Sequence, residues 1–269
     1  MSHHKITFTD VQYLYPDGTA ALQNISLDIG HGEAVAIVGA NGSGKTTLLS
    51  HVCGAVLPTA GDVNIGGFPV TKETLNHIRR TVGMVFQDPD DQLFMPTVYE
   101  DVAFGPQNLG LPADEVARRV RTSLECVGAW DIKDRPPYRL SGGQKRVVSI
   151  ATVLAMEPAI LVMDEPSAFL DPWARRSLLQ LLRSFQHTKL IATHDLDLAL
   201  ELCERTVVLQ NGRILADGPT QSIFTDQDLL AQAHLELPFS LQKCPICSKI
   251  PNKRTGELEG TTEGYEIQS

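Results

Sequence analysis

The chain opens on a strand pattern. Ile6-Thr7-Phe8-Thr9-Asp10-Val11 alternates apolar and polar side chains, Pro16-Asp17-Gly18 reads as a turn, and Leu22, Ile25, Leu27 and Ile29 then lead to Gly30-His31-Gly32. Glu33–Val38 ends in an unbroken apolar run, the mark of a strand buried on both faces. It passes directly into the glycine-rich Gly39–Gly44, and Lys45–Cys53 follows with no helix breaker. The pattern predicts strand, loop, helix.

Between about Asp88 and Glu157 the character changes. Pro89, Pro96, Pro106, Pro112, Pro136 and Pro137 punctuate the region, and Val116, Val120, Leu124 and Val127 recur at the spacing of an amphipathic helix. Pro112-Ala113-Asp114-Glu115 ahead of them puts acidic groups at a helix N-terminus, where the helix dipole favours them. This stretch reads as a helical insertion, residues 88–157. From Ala159 strands and helices alternate again: strand Ile160–Met163, helix Trp173–Gln186 with Leu178, Leu181, Leu182 and Phe185 inward, strand Lys189–Thr193, helix Leu196–Cys203. Val207–Leu209 and Arg213–Leu215 flank Asn211-Gly212, a hairpin signal. Strands alternating with helices predict a mainly parallel α/β core. Beyond Pro238 the apolar content falls, so a domain over 5–240 and a flexible tail over 241–269 are expected.

Composition narrows the possibilities. In 269 residues there are 23 Lys and Arg against 32 Asp and Glu, a net charge of −9. That argues against passive nucleic-acid binding, which needs a basic field, but not against a nucleotide held by backbone amides. Five cysteines are too few for a disulfide scaffold. The longest apolar runs, Ala34–Val38 and Ala159–Met163, fall far short of the roughly 20 residues that span a bilayer. Met1-Ser2-His3-His4-Lys5 carries no apolar signal region, which predicts a chain that stays in the cytoplasm.

Three motifs carry chemistry. Gly39-Ala40-Asn41-Gly42-Ser43-Gly44-Lys45-Thr46 fits G-x-x-x-x-G-K-[ST] in full, and Thr47 continues it into the helix. Its glycines let successive N–H groups face one anion, Lys45 would reach the outer phosphates and the Thr46 hydroxyl would ligate Mg²⁺. The run Ile160–Met163 ends in Asp164 and Glu165, two carboxylates where open α/β sheets bind ligands. Asp164 could complete the Mg²⁺ site and Glu165 could polarise a water; the bland alternative is a strand stop with solvated acids. Leu140-Ser141-Gly142-Gly143-Gln144 precedes a helix-like run, Lys145–Ala155, and is either a second anion cradle or an N-cap. Taken alone, the N-cap reading is the stronger.

In combination and in this order, the phosphate loop, Leu140–Gln144 and the strand ending in Asp164-Glu165 resemble an ABC-type ATPase subunit. The resemblance covers about residues 5–235. It implies a P-loop NTPase core with a mixed sheet, an N-terminal antiparallel β subdomain and an inserted α-helical subdomain. It further implies that Tyr15 stacks on adenine, with Tyr13 as a competing aromatic, and that Gln87 touches Mg²⁺ and the water. Ser167–Asp171 is similar to the loop that crosses between subunits, and His194 matches the histidine that contacts the γ-phosphate. The implied arrangement is a head-to-tail homodimer in which each ATP lies between Lys45 of one subunit and Ser141-Gly142-Gly143 of the other. Competing readings are a non-transport ABC ATPase, a P-loop kinase and a binding-only regulator. Neither of the last two needs the Leu140–Gln144 motif together with Glu165 and His194.

A narrower resemblance lies in Gln87–Phe94 and Val102–Pro106, which look like the ATPases of energy-coupling-factor importers. Those act at the cytoplasmic face of the membrane with integral-membrane coupling and substrate-binding components, and import transition metals or vitamins. Met1–His4, Tyr13–Gly18 and Cys244-Pro245-Ile246-Cys247 are most similar to the cobalt/nickel branch. Cys244 and Cys247 would supply at most half of a Zn²⁺ or Ni²⁺ site, for no second pair accompanies them.

Overall fold

The computed structural model describes residues 4–242. His3, the Cys244/Cys247 pair and the expected tail beyond Gln242 lie outside the described residues. The chain runs through β1 (Ile6–Leu14), β2 (Ala20–Ile29), β3 (Ala34–Val38), α1 (Lys45–Val52), β4 (Ala60–Ile65), β5 (Phe68–Pro69), α2 (Leu75–Thr81) and β6 (Val82–Val85). Three helices follow: α3 (Val98–Asn108), α4 (Ala113–Cys126) and α5 (Gly142–Leu154). Then come β7 (Ile160–Asp164), α6 (Pro172–Ser184), β8 (Thr188–Ala192), α7 (Leu196–Leu202), β9 (Arg205–Gln210), β10 (Arg213–Pro219), α8 (Thr220–Thr225) and α9 (Gln227–Gln232).

Two sheets result. A six-stranded sheet has the order β10-β9-β3-β8-β7-β6, parallel throughout except for the antiparallel edge strand β10. A four-stranded antiparallel sheet has the order β2-β1-β4-β5. Continuously apolar strands belong in the middle of a parallel sheet because helices cover both faces. Accordingly β7 and β8 are buried at every position, and β3 at all but Ala34. The side chains of β3 divide between two cores: Val35 and Ile37 join the antiparallel sheet and α1, and Ala36 and Val38 join α6, α7 and α8.

Helices α3, α4 and α5 lie in the connection between the paired strands β6 and β7, and carry their own core of Val98, Val102, Val116, Val120, Leu124 and Val148. The mixed sheet, antiparallel subdomain and helical insertion are those expected from the sequence. Some details differ. Pro106 lies inside α3 rather than between elements, and α4 stops at Cys126, so Val127 packs inward, partly buried, from the cap position. Helix α6 ends at Ser184, where Phe185 turns extended (φ −76°, ψ 108°), and its buried face is Leu178, Leu179 and Leu182, with Leu181 only half-buried. The expected Leu178, Leu181, Leu182 and Phe185 all pack against this core, Leu181 and Phe185 only partly buried, and Leu179 joins them.

The β9–β10 hairpin turns on Asn211 (φ 50°) and Gly212 (φ 73°), the left-handed pair a two-residue turn needs. Its tip supports the first loop: the Gly212 N–H donates to the Ser43 carbonyl at 3.0 Å, and its own carbonyl accepts from the Gln23 N–H at 2.8 Å.

Candidate functional site

A cavity of about 520 Å³ opens where the β3–α1 loop, the end of β7 and the β1–β2 turn meet, within the size range of ligand sites. Tyr15, Asn41, Gly42, Gly44, Lys45, Thr46, Thr47, Gln87, Asp164 and Glu165 line it. Thr19, Ala20 and Ala21 line it too, and nothing in the sequence singled them out. Helix α1 is suited to an anion, because Gly44 in the left-handed region (φ 107°) precedes it, no side chain caps it and its first turn has no acid. By contrast α3, α5, α6, α7 and α9 each have a side-chain cap, from Thr97, Ser141, Asp171, Asp195 and Asp226. The first amides of α1 stay available to a phosphate.

Close packing shapes the loop. A Cβ on Gly39 (φ 152°) would stand 2.2 Å from the Leu209 carbonyl oxygen, whereas one on Gly42 would meet nothing within 4 Å. Gly39→Ala is therefore expected to weaken nucleotide binding by about tenfold or more, since strain of ~1–3 kcal/mol must be relieved by moving the loop. Gly42→Ala should be the milder change. Calorimetric titration of both variants checks the order, and equal affinities would remove the steric argument.

Lys45 is buried, and its Nζ donates to the Gly39 and Ala40 carbonyls at 2.8 and 3.1 Å. Burial pushes its ammonium below its ordinary range, opposed by the charges of Glu165 and Asp164. Thr46 Oγ1 donates to Asp164 Oδ2 at 2.6 Å. Burial raises the Asp164 carboxyl, the Thr46 bond opposes this, and the Glu165 charge adds to the rise. A hydroxyl and a carboxylate side by side fit a hard divalent cation such as Mg²⁺.

Glu165 follows β7 with φ at 49°, a costly conformation for this side chain, and is 7% exposed. The parallel register pairs Asp164 with Ala192, so the end of β8 comes alongside. Two hydrogen bonds then reach Glu165 Oε2, from Thr193 Oγ1 at 3.1 Å and from the His194 N–H at 3.2 Å, and His194 Nδ1 lies 2.8 Å from the same oxygen. The His194 side chain is otherwise 74% exposed and faces a neighbouring cleft of about 840 Å³ that Ser167 and Arg175 also line. Tyr15 borders the 520 Å³ cavity, its hydroxyl 2.8 Å from Thr47 Oγ1. Tyr13 does not border it; its ring packs edge-on against Tyr15 and His51.

The Ser141–Gln144 turn is not part of this cavity. Ser141 caps α5 in a capping box: its Oγ accepts from the Gln144 N–H at 3.3 Å, and Gln144 Oε1 accepts from the Ser141 N–H at 3.1 Å. A Cβ on Gly142 would lie 3.4 Å from Cβ of Phe169, an exposed aromatic held at φ 66°. One side chain the sequence did not flag is Arg146, wholly buried one turn into α5, which donates to the Phe86 and Gln87 carbonyls. Nothing in the sequence separates it from its half-exposed neighbour Lys145.

Residues 22–168 match the family described as ABC transporter. A protein of Geobacter sulfurreducens named as an ABC transporter ATP-binding protein is 61% identical over 93% of this chain and all of its own length. The energy-coupling factor transporter ATP-binding protein EcfA of Methanocaldococcus jannaschii is 44% identical over 90% of this chain and 89% of its own. Among solved structures, cbiO1 from Clostridium perfringens, described as part of the ABC transporter complex cbiONQ, aligns with TM-score 0.74 and 38% identity over 87% of this chain and 96% of its own. A dimeric ATP-binding cassette in a post-hydrolysis state with ADP and Pi aligns with TM-score 0.74 and 30% identity over 80% of this chain and 98% of its own.

Proposed function

This chain belongs to the ABC transporter family of ATP-binding proteins and hydrolyses ATP for transport, and from that premise we propose that it is the motor of an energy-coupling-factor importer that takes up a transition-metal ion, cobalt or nickel. It works as a homodimer, docked on integral-membrane coupling and substrate-binding components at the cytoplasmic face. The observation that supports the reading is that the cavity with Lys45, Asp164 and Glu165 sits at the uncapped start of α1, while the Ser141-Gly142-Gly143 start of α5 lies outside it with its own nucleotide still to be found. One nucleotide needs one cradle. Two chains paired head to tail give each ATP both, in an isologous arrangement. The dimeric cassette with ADP and Pi and the cbiONQ complex support the pairing and the membrane partners.

The residues then take these parts. Tyr15 stacks on adenine. The Gly39–Thr47 amides and Lys45 hold the phosphates, Lys45 trading its two carbonyl bonds for phosphate oxygens. Thr46, Asp164 and Gln87 hold Mg²⁺, which when bound offsets phosphate charge. Glu165, fixed through Oε2 by Thr193 and His194, keeps its other oxygen for the attacking water, and Gln87 orients that water from the far side. His194, with Nδ1 on Glu165, is left with Nε2 for the γ-phosphate. Ser141, Gly142, Gly143 and Gln144 grip the γ-phosphate of the partner's ATP. They bind ATP and not ADP in the closed pair, and that differential affinity is what closes and opens the dimer.

Motion leaves the cassette through the segment after Gln87. Phe94 is 62% exposed and Phe104 40%, and their rings stack edge-on at 4.9 Å. Buried Asp101 braces the segment, Oδ1 accepting from the Phe94 and Met95 N–H groups at 3.0 Å each. An aromatic pair braced at the surface suits an apolar helix of a membrane partner. Phe94→Ala with Phe104→Ala should reduce recovery with partner-containing membranes by about tenfold, as loss of interface anchors does, with ATP binding by the isolated chain unchanged. Undiminished recovery would move the docking surface elsewhere.

The test of the whole reading is transport. Proteoliposomes holding the chain with its membrane components should accumulate labelled Co²⁺ or Ni²⁺ only with ATP inside reach of the cassette. Uptake of a vitamin in place of either metal overturns the metal assignment and leaves the motor; no ATP-dependent uptake of any kind overturns the motor.

A further inference from the structure

His51, in the last turn of α1, is wholly buried, and the reaction above does not use it. Its Nδ1 lies 2.7 Å from the Thr47 carbonyl oxygen, which can only accept, so Nδ1 carries the proton. Its Nε2 is then a bare lone pair, buried with no partner among the described residues. Burial pushes the imidazole below its ordinary range, opposed by the Thr47 bond, and the ring stays neutral. An apolar side chain would fill this place without stranding an acceptor. What the imidazole adds is a flat ring whose plane is fixed by a hydrogen bond to α1.

That ring is the first of three. Tyr13 packs against it with centroids 5.0 Å apart and planes at 83°, and Tyr15 packs against Tyr13 at 5.2 Å and 81°. Both contacts are edge-on arrangements that the ring quadrupoles favour. The outer end returns to its origin, for the Tyr15 hydroxyl lies 2.8 Å from Thr47 Oγ1. The circuit opens on the Thr47 carbonyl and closes on the Thr47 hydroxyl, beside Lys45 and Thr46. Tyr15 needs such support, because it stands on an exposed turn. The bonds from the Tyr15 N–H to the Thr19 carbonyl and from the Gly18 N–H to the Tyr15 carbonyl, both 2.9 Å, are internal to that turn. The register of β1 against β2 also breaks on both sides of Tyr13, an irregularity that re-aims a side chain. Neither Tyr13 nor His51 borders the cavity.

Resting on the reading in which Tyr15 stacks on adenine, we propose that His51 is a positioning residue for the nucleotide base: through Tyr13 it sets the tilt and height of the Tyr15 ring relative to the phosphate-binding turn of α1. A base lying on the ring and phosphates held by the helix are joined through one ribose, so the two supports must keep a fixed separation. The ring circuit keeps it. A stack reads a π-face and not a hydrogen-bond pattern, so His51 acts on binding of the base and not of the phosphates.

The test uses the full chain and calorimetric titration with two ligands, Mg-ADP and Mg-pyrophosphate, the second carrying phosphates without a base. His51→Asn keeps a donor for the Thr47 carbonyl and removes the ring; Tyr13→Leu removes the middle ring. Each should weaken Mg-ADP about tenfold, within the range of a lost base stack, and leave pyrophosphate within about twofold. Tyr13→Phe, which keeps the ring, should restore Mg-ADP affinity to within about twofold of the unmodified chain. Equal loss of both ligands overturns the proposal, for His51 would then only hold α1 together. Unchanged Mg-ADP affinity in His51→Asn and Tyr13→Leu, with Tyr15→Leu itself about tenfold weaker, overturns it too and leaves the stacking reading in place. Unchanged Mg-ADP affinity in Tyr15→Leu overturns the stacking reading, and this proposal with it. Should circular dichroism show His51→Asn unfolded, the comparison of Tyr13→Leu with Tyr13→Phe, at a half-buried ring, is read by the same criteria.

Discussion

Glu165→Gln is expected to leave ATP binding intact, to slow phosphate release by at least about a hundredfold and to hold the chain as an ATP-loaded dimer, the loss typical of removing a general base. The shape of the site predicts the binding half of this result. Gln can accept from Thr193 Oγ1 and the His194 N–H as Glu165 does, so the ends of β7 and β8 stay joined. It cannot take a proton from water. Losing the charge also relieves Asp164, whose carboxyl is raised in part by its neighbour's field, and spares the incoming phosphates a repulsion. Binding should be equal or tighter while chemistry fails. A phosphate-release assay beside gel filtration with ATP separates the two effects. Turnover at the unmodified rate would take Glu165 out of the role of base.

The same residue illustrates what could be read from the chain alone. Glu165 stood out because it closes an apolar run, and the β3–α1 loop stood out because its glycines, lysine and threonine are contiguous. Such signals are local. That Glu165 would meet His194 was beyond local reading, because the contact depends on the register that sets Asp164 against Ala192 across two strands and a helix. Asp101 and Arg146 gave no signal for a related reason. Both are charged residues on helices, where solvent exposure is the ordinary expectation, and only the packing of α3 and α5 against the segment after β6 buries them. On α6 the expected Leu178, Leu181, Leu182 and Phe185 all pack inward, and the buried Leu179 widens the stripe beyond what periodicity alone marks. Sequence gives the candidate chemistry; pairing and packing decide which groups serve it.

Ser141→Arg is expected to abolish ATP-driven dimerisation while the monomer binds ATP with unchanged affinity. In the single chain Ser141 touches no part of the cavity, so nothing there is disturbed. Its local duty is the capping box with Gln144, and loss of that cap costs about 1 kcal/mol, a modest drop in thermal stability and no more. A structural role alone therefore predicts a slightly less stable protein that still pairs. The proposed role predicts a much larger effect, because a long cation stands where the partner's γ-phosphate must approach a short hydroxyl and two bare glycine amides. The added positive charge would attract the phosphate at a distance, yet the arm fills the space in which closure occurs, and sterics win at contact. Gel filtration of Glu165→Gln with and without Ser141→Arg, beside calorimetric titration of ATP, distinguishes the cases. Persistence of the dimer would reduce the Ser141–Gln144 turn to a helix cap, and loss of ATP binding in the monomer would show the turn acting within its own chain.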